Sequence, residues 1–575
     1  MRQVNYRIIA ALSLAGLLGG FAPARAEGDT KNTPPAIRVA PPAPVFAEGE
    51  RVAELAQRRA GVATQIKAES VMVLFSAEPR IYTNDVDYEF RQENNLYYLT
   101  HLKQKNAILV LLPGNAQTPE ILFLPRRNPR TETWNGRMYS PQEAALRSGV
   151  KEIWEVTEFK PFVAALKARQ PYRPKAENIL LSSIKTASET NAAHAVASGY
   201  ETLFKAAQQG KASLYLLAPA ANDADGLREY GREAEFAKQF TDSGYKVETA
   251  ENIFGEMRLR KSPSELKRLQ HAIDITGEGF GRALAMAGKV SWEYELEAEI
   301  EYTFKRRNAD FWGYPSIVGC GPNATTLHYE TSQGAVTSGA LMLMDVGAEY
   351  DHYTADITRT FPVNGKFTKE QAEIYQIVYD AQEAVAKIAK PGVPFGKLQE
   401  VANEVIKDGL FKVGLITDKD KNSQQQRLWF MHGLGHWLGM NVHDTGNYGN
   451  PLEPGMVFTN EPGIYIRADA LDYLPKTPEA EKFKAAVMPA FQKYRNIGVR
   501  IEDDLVVTPN GVEWMTRNIP RSIPDIENFM ARAGKELQAR ATTPEMDDAT
   551  AFIVGGTNRR GYHINLGAAQ VMAAH

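Results

Sequence analysis

Four carboxylates in the second half of this sequence sit where apolar runs begin or end. Asp345 closes Leu341-Met342-Leu343-Met344, and Asp356 opens Ile357-Thr358-Arg359-Thr360-Phe361. Glu461 closes Val457-Phe458-Thr459-Asn460, and Glu502 lies within Val499-Arg500-Ile501-Glu502-Asp503. One carboxylate at a strand end is ordinarily a solvated or capping group. Four of them, desolvated together, would repel strongly, so the set needs cations to hold it. Between them runs His432-Gly433-Leu434-Gly435-His436-Trp437-Leu438-Gly439-Met440-Asn441-Val442-His443-Asp444, which places three of the chain's ten histidines within twelve residues. Its glycines permit close backbone approach. Four carboxylates and one neutral imidazole balance two divalent ions. Oxygen-rich ligation favours manganese over a closed zinc site, with zinc and cobalt as alternatives.

These side chains need strands to bring them together. Strands are expected over 341–346, 357–362, 456–461 and 498–507, separated by long helices over 368–389 and 395–410. A turn between the first two would form a hairpin joining Asp345 to Asp356. Strand alternation puts Arg500 and Glu502 on one face, Val499 and Ile501 on the other. Ser262-Pro263-Ser264-Glu265 reads as the start of a helix running to 286, and another helix covers 292–307. Helices and antiparallel strands in separate runs make residues 253–531 an α+β domain. Before it, residues 48–252 alternate helices with apolar runs such as Val71–Phe75, Ala107–Leu112 and Glu120–Leu124, the pattern of an α/β domain.

The termini read differently. Arg2 and Arg7, the apolar stretch Ile8 to Ala22 and Ala24-Arg25-Ala26 form a secretory signal with cleavage expected after Ala26. The protein is then exported, to a bacterial periplasm on this pattern, with no membrane span in the mature chain. Residues 27–47 lack periodicity and read as a disordered leader. Residues 532–575 are a polar extension with no assignable role. A net charge of −3 over 575 residues gives no electrostatic case for nucleic acid, and the lone Cys320 excludes both an internal disulfide and a cysteine-rich zinc site. Cys320 itself reads as a small buried residue. His194, His271, His352, His563 and His575 read as surface or core groups.

The His-rich segment, with Leu327-His328-Tyr329, Asp345-Val346-Gly347-Ala348-Glu349-Tyr350, Asp356-Ile357-Thr358-Arg359-Thr360-Phe361, Glu461-Pro462-Gly463-Ile464-Tyr465 and Gly498-Val499-Arg500-Ile501-Glu502-Asp503, resembles the signature of the Xaa-Pro peptidases within the methionine aminopeptidase, prolidase and creatinase superfamily. Asp85-Val86-Asp87-Tyr88-Glu89-Phe90-Arg91-Gln92 and Tyr97-Tyr98-Leu99-Thr100 are similar to aminopeptidase P. The resemblance spans roughly residues 48–531. It implies a creatinase-like N-terminal α/β domain with a mixed sheet and a pita-bread α+β catalytic domain. It implies five metal ligands: Asp345 on one ion, His436 and Glu461 on the other, Asp356 and Glu502 bridging both. It further implies that His328, His432 and His443 line the substrate site, that Arg500 braces Glu502, and that the protein is a homo-oligomer, dimer or tetramer. Trp134, in Trp134-Asn135-Gly136-Arg137, resembles a loop that reaches a neighbouring subunit. The tail after 531 has no obvious counterpart in the family pattern, and the Gln-rich stretch 416–427 looks like a lengthened connection before the His-rich loop.

Water shared by two divalent ions is acidified enough to supply hydroxide near neutral pH. Glu461 then serves as the general base, and His328 or His443 stabilises the tetrahedral intermediate. The expected reaction is hydrolysis of the Xaa-Pro bond at a peptide N-terminus, releasing the first residue. Alternatives are a prolidase restricted to dipeptides, which would share every ligand, and an inactive binding module on the same fold.

Overall fold

The computed structural model describes residues 35–183, 199–219, 222–420 and 424–542. The signal-like segment, His194, His563 and His575 lie outside the described residues.

The N-terminal part is built on a seven-stranded mixed sheet. Its strands are β1 (Ser70–Phe75), β4 (Ile108–Leu111), β5 (Glu120–Leu124), β6 (Ile153–Glu155), β7 (Ile179–Leu181), β8 (Ala212–Leu216) and β9 (Tyr245–Thr249), with β2 (Ile81–Thr83) and β3 (Val86–Asp87) forming a separate hairpin. The order is β7-β6-β5-β4-β1-β8-β9. β1 pairs antiparallel with β4 and parallel with β8. Apolar residues fill both faces of the central strands. Met72, Leu74, Leu109 and Leu122 join one core, while Val71, Val73, Val110 and Phe123 join the other. Strands buried on both sides read as continuous apolar runs, as these do.

The second part is antiparallel. β11 (Ile317–Cys320), β12 (Leu341–Val346) and β15 (Ile357–Pro362) form one sheet, with Asp345 opposite Thr358. β10 (Phe311–Trp312), β13 (Ala348–Tyr350) and β14 (Tyr353–Thr354) form a second. β16 (Val457–Asn460), β19 (Asp503–Thr508) and β20 (Gly511–Trp514) form a third, and β17 (Gly463–Tyr465) pairs with β18 (Gly498–Arg500). Helices Pro263–Met286, Glu293–Arg306, Lys369–Ile388 and Phe395–Lys412 pack around them. Ser262 opens the first of these with a complete capping box and Pro263 in the first turn.

Four expectations need correction. Asp345 and Asp356 do lie on paired strands, but β13–β14 swings out between them in place of a single turn. Gly347 makes this possible, since a Cβ there would meet Ala355 O at 1.8 Å. Residues 498–507 are not one strand. The chain leaves one sheet after Arg500 and enters another at Asp503, so Ile501 and Glu502 lie between strands. Residues 35–47 are not a free leader: Ile37 and Ala40 are buried, and Ala40 N donates to Glu278 Oε2 at 2.8 Å. The last described helix, Ile523–Thr542, runs past the expected boundary at 531. Its Ala533 is buried against Ile37, and its Glu536 accepts from Ala36 N. Residues Ala36 and Ile37 are therefore held by helix Ile523–Thr542.

Candidate metal centre

Asp356, His436 and Glu502 each place one donor atom in a group whose members all lie within 4.8 Å of one another. His436 Nε2 is 3.2 Å from Asp356 Oδ2 and 3.3 Å from Glu461 Oε1. Asp345 joins through Tyr314. The Tyr314 hydroxyl lies 2.6 Å from both Asp345 Oδ1 and Asp356 Oδ1. The five residues expected as ligands are thus neighbours in space, although 157 positions separate the first from the last (502 − 345).

Strand ends deliver them. β12 carries Asp345 as its fifth residue, β15 begins just after Asp356, and β16 ends just before Glu461. The break between β18 and β19 turns Glu502 inward, and its N–H is held by Thr358 O at 3.1 Å. Arg500 and Glu502 share a side as expected, because both reach the Thr358 hydroxyl: Arg500 Nε donates to it at 3.0 Å, and it donates to Glu502 Oε2 at 2.6 Å. Gly435 lets the His-rich loop lie against β16, where a Cβ would meet Thr459 O at 2.0 Å.

Burial without enough cations perturbs this group. Burial, with Asp345 and Glu461 nearby, pushes Asp356 up to about 7 despite its bond to His436. Burial and the charges of Asp356, Glu461 and Asp345 raise Glu502 well above the ordinary carboxylate range. Burial opposes protonation of His436, but hydrogen bonds to Asp356 and Glu461 outweigh it and raise its pKa well above normal. Burial likewise opposes ionisation of Glu461, yet His436 keeps it below the usual value.

The donors suit divalent ions. Two ligands of one ion at about 2.1 Å sit roughly 3 Å apart, which is the spacing around His436 Nε2. His436 Nδ1 lies 3.1 Å from Trp437 O, so with its proton on Nδ1 the ring offers Nε2 as a ligand. Buried like charges at this spacing call for positive charge among them. Asp504 adds to the demand. It is fully buried, its Oδ2 accepts from Asp356 N at 3.2 Å, and its Oδ1 has no hydrogen-bond partner.

The remaining expected residues border this group. Arg500 Nη2 donates to Asp345 Oδ2 at 2.5 Å and Nη1 to the Tyr465 hydroxyl at 2.8 Å. That hydroxyl lies 2.8 Å from His432 Nε2, so His432, Tyr465, Arg500 and Asp345 form one chain of contacts. His443 is exposed, with its ring edge-on to His436 at 4.4 Å between centroids. Burial, then the charge of His436, lowers its pKa, and His328 acts in the same direction. His328 is exposed, beside Leu327 and Tyr329, which pack on Tyr465.

Tyr314, Tyr465, Thr358, Thr459 and Asp504 also line the site, beyond the residues expected from the sequence. Tyr465 and Asp504 stand inside or beside motif segments and could have been read from them. Tyr314, in Phe311-Trp312-Gly313-Tyr314-Pro315, has no periodic signal. Other expectations are placed away from the site. Cys320 is buried, which pushes its thiol up. His271 and His352 are buried as well. Trp134 is 81% exposed, in helix Pro129–Asn135.

A carboxylate-rich centre on this mixed-sheet and antiparallel frame is suited to holding divalent metal ions. The sequence profile of metallopeptidase family M24 matches residues 267–509, and that of the aminopeptidase P N-terminal domain matches residues 55–173. An Xaa-Pro aminopeptidase of Haemophilus influenzae is 35% identical over 487 residues, covering 83% of this chain and 97% of that one. An Xaa-Pro aminopeptidase of Escherichia coli is 34% identical over 499 residues, covering 84% and 98%. A solved aminopeptidase P of Escherichia coli superposes with a TM-score of 0.67 at 29% identity, covering 86% of this chain and 100% of that one. The chain belongs to the aminopeptidase P family of M24 metallopeptidases. It is a metal-dependent peptidase with a creatinase-like N-terminal domain and a pita-bread catalytic domain.

Proposed function

We propose that this enzyme removes the first residue from peptides whose second residue is proline, with Asp345, Asp356, His436, Glu461 and Glu502 holding two divalent ions. The observation that carries the reading is the convergence of Asp356, His436 and Glu502 within 4.8 Å, with Glu461 and Asp345 against them. The bound ions supply Lewis acidity and a solvent nucleophile at neutral pH. The oxygen-rich donor set supports manganese.

The protein's own groups do the rest. Glu461, kept anionic by His436 and steadied by the Thr459 hydroxyl at 3.0 Å, accepts the proton of the attacking water. His443 and His328 stand at the exposed edge, where they can donate to the carbonyl oxygen as negative charge develops. His432 and Arg500, joined through Tyr465, hold Asp345 in place. A bond to proline is a tertiary amide without an N–H, so recognition relies on the pyrrolidine ring and not on that donor. The basic, apolar and small-residue pattern of residues 1–26 supports export to the periplasm. The exposed Trp134 supports a homo-oligomer in which it meets a neighbouring subunit.

Three peptides test the assignment: a tripeptide with proline second, the same tripeptide with alanine second, and an Xaa-Pro dipeptide. Release of the first residue from the proline tripeptide, and little from the alanine one, is the expected result. Cleavage of the dipeptide alone would make the enzyme a prolidase.

A further inference from the structure

The loop bearing His443 is gripped from behind by charges that the chemistry above does not use. Asp444, the next residue, is buried. Its Oδ1 accepts from Arg258, and its Oδ2 accepts from Lys261 Nζ at 3.2 Å. All three side chains are at most 4% exposed. Arg258 lies in the last turn of helix Glu251–Leu259, and Lys261 follows it, just before helix Pro263–Met286. This linker joins the sheet domain to the catalytic domain.

Further contacts extend the grip. Arg258 Nη2 donates to Asn441 Oδ1 at 2.6 Å, and its Nη1 donates to Asn95 Oδ1 at 2.9 Å. Arg91 Nη2 and Asn94 Nδ2 both donate to Met440 O, at 2.9 and 3.1 Å. Asp444 N donates to Trp437 O at 2.9 Å and so closes the loop on itself. Gly439 leaves room for the carboxylate, because a Cβ there would meet Asp444 Oδ2 at 2.2 Å. Burying three charged groups is costly, and two hydrogen-bonded cations on one carboxylate fix its position closely. The group this anchoring places is His443, whose imidazole stands edge-on to His436.

We propose that Asp444, clamped by Arg258 and Lys261, is a positioning residue that aims the His443 imidazole at the reacting carbonyl. The sheet domain and its linker thereby shape the substrate site. This inference rests on the role given to His443 above.

The test uses the full chain loaded with manganese and a tripeptide with proline second. His443→Ala should lower kcat by about 100-fold. Asp444→Asn should lower kcat by about 10- to 100-fold, with bound metal and KM little changed. The double variant should be no slower than His443→Ala alone. Lys261→Met keeps the Arg258 pair and guards against misfolding of Asp444→Asn. It should show a smaller kcat loss that vanishes in the His443→Ala background. Losses that multiply with that of His443→Ala, or a normal kcat in Asp444→Asn, overturn the proposal. A normal kcat in His443→Ala would instead overturn the reading of His443 itself.

Discussion

Two buried groups of charge in this protein behave in opposite ways. Around Asp356 and Glu502, carboxylates face carboxylates, and burial drives their pKa values upward. Around Asp444, burial pushes the same way, but Arg258 and Lys261 more than offset it, and the carboxylate stays below its usual range. Asp503 is likewise paired with a protein cation. It is buried, and it accepts from Arg359 and from Gln382 Nε2. A carboxylate matched with protein cations is complete and serves structure or positioning. Carboxylates matched mainly with each other await a cation from outside. The difference separates a binding site from a brace without reference to motif.

Removing carboxylates should expose that difference most strongly. Asp356→Ala and Glu502→Ala should each lower activity by at least about a thousandfold, read as kcat/KM on a proline tripeptide. Either change should leave the melting temperature of the metal-free protein unchanged or raised, because it relieves repulsion. In the other group, Arg258→Met should destabilise the fold by about 3–5 kcal/mol in denaturant titrations, since it strands buried Asp444 with one partner fewer. Equal destabilisation by all three would erase the contrast.

A smaller effect is expected at Tyr314. Its hydroxyl touches both Asp345 and Asp356, so Tyr314→Phe should weaken manganese binding by about 10- to 100-fold, measured by calorimetry, with the fold intact.

The smallest effect is a dependence on pH. Asp356 in the folded, metal-free protein keeps its proton up to about 7, whereas the unfolded chain loses it near pH 4. The folded state therefore binds more protons across that window, and stability must fall as pH rises through it. Glu502, raised well above the ordinary carboxylate range by burial and its acidic neighbours, acts in the same direction. The metal-free melting temperature should be lower at pH 8 than at pH 5.5, and the shift produced by manganese should be larger at pH 8. A flat profile would place the carboxylates in water.

The convergence of the carboxylates with His436 was legible because carboxylates at the ends of apolar runs stand out against their neighbours, and because three histidines crowd one loop. The frame was legible for the same reason: Leu341–Val346 and Ile357–Pro362 fall where apolar periodicity puts them. The excursion of β13–β14 was not, since it depends on Gly347 admitting Ala355 O, a contact between residues eight apart. The brace was hidden by distance along the chain. Arg258 meets Asp444 across 186 positions, and Tyr97 meets Asp351 across 254, so no local pattern records either pair. The order of residues 35–47 was hidden for another reason. Their Pro- and Ala-rich composition carries no periodicity, yet Ala533 and Glu536 give Ala36 and Ile37 a surface to lie on.

The number of ions the carboxylate group takes up tests the two-ion centre most directly. Metal-free protein titrated with manganese should bind two ions per chain, and hydrolysis of a proline tripeptide should appear as they bind. Full activity in chelated, metal-free protein, or no binding of divalent ions at all, would contradict it.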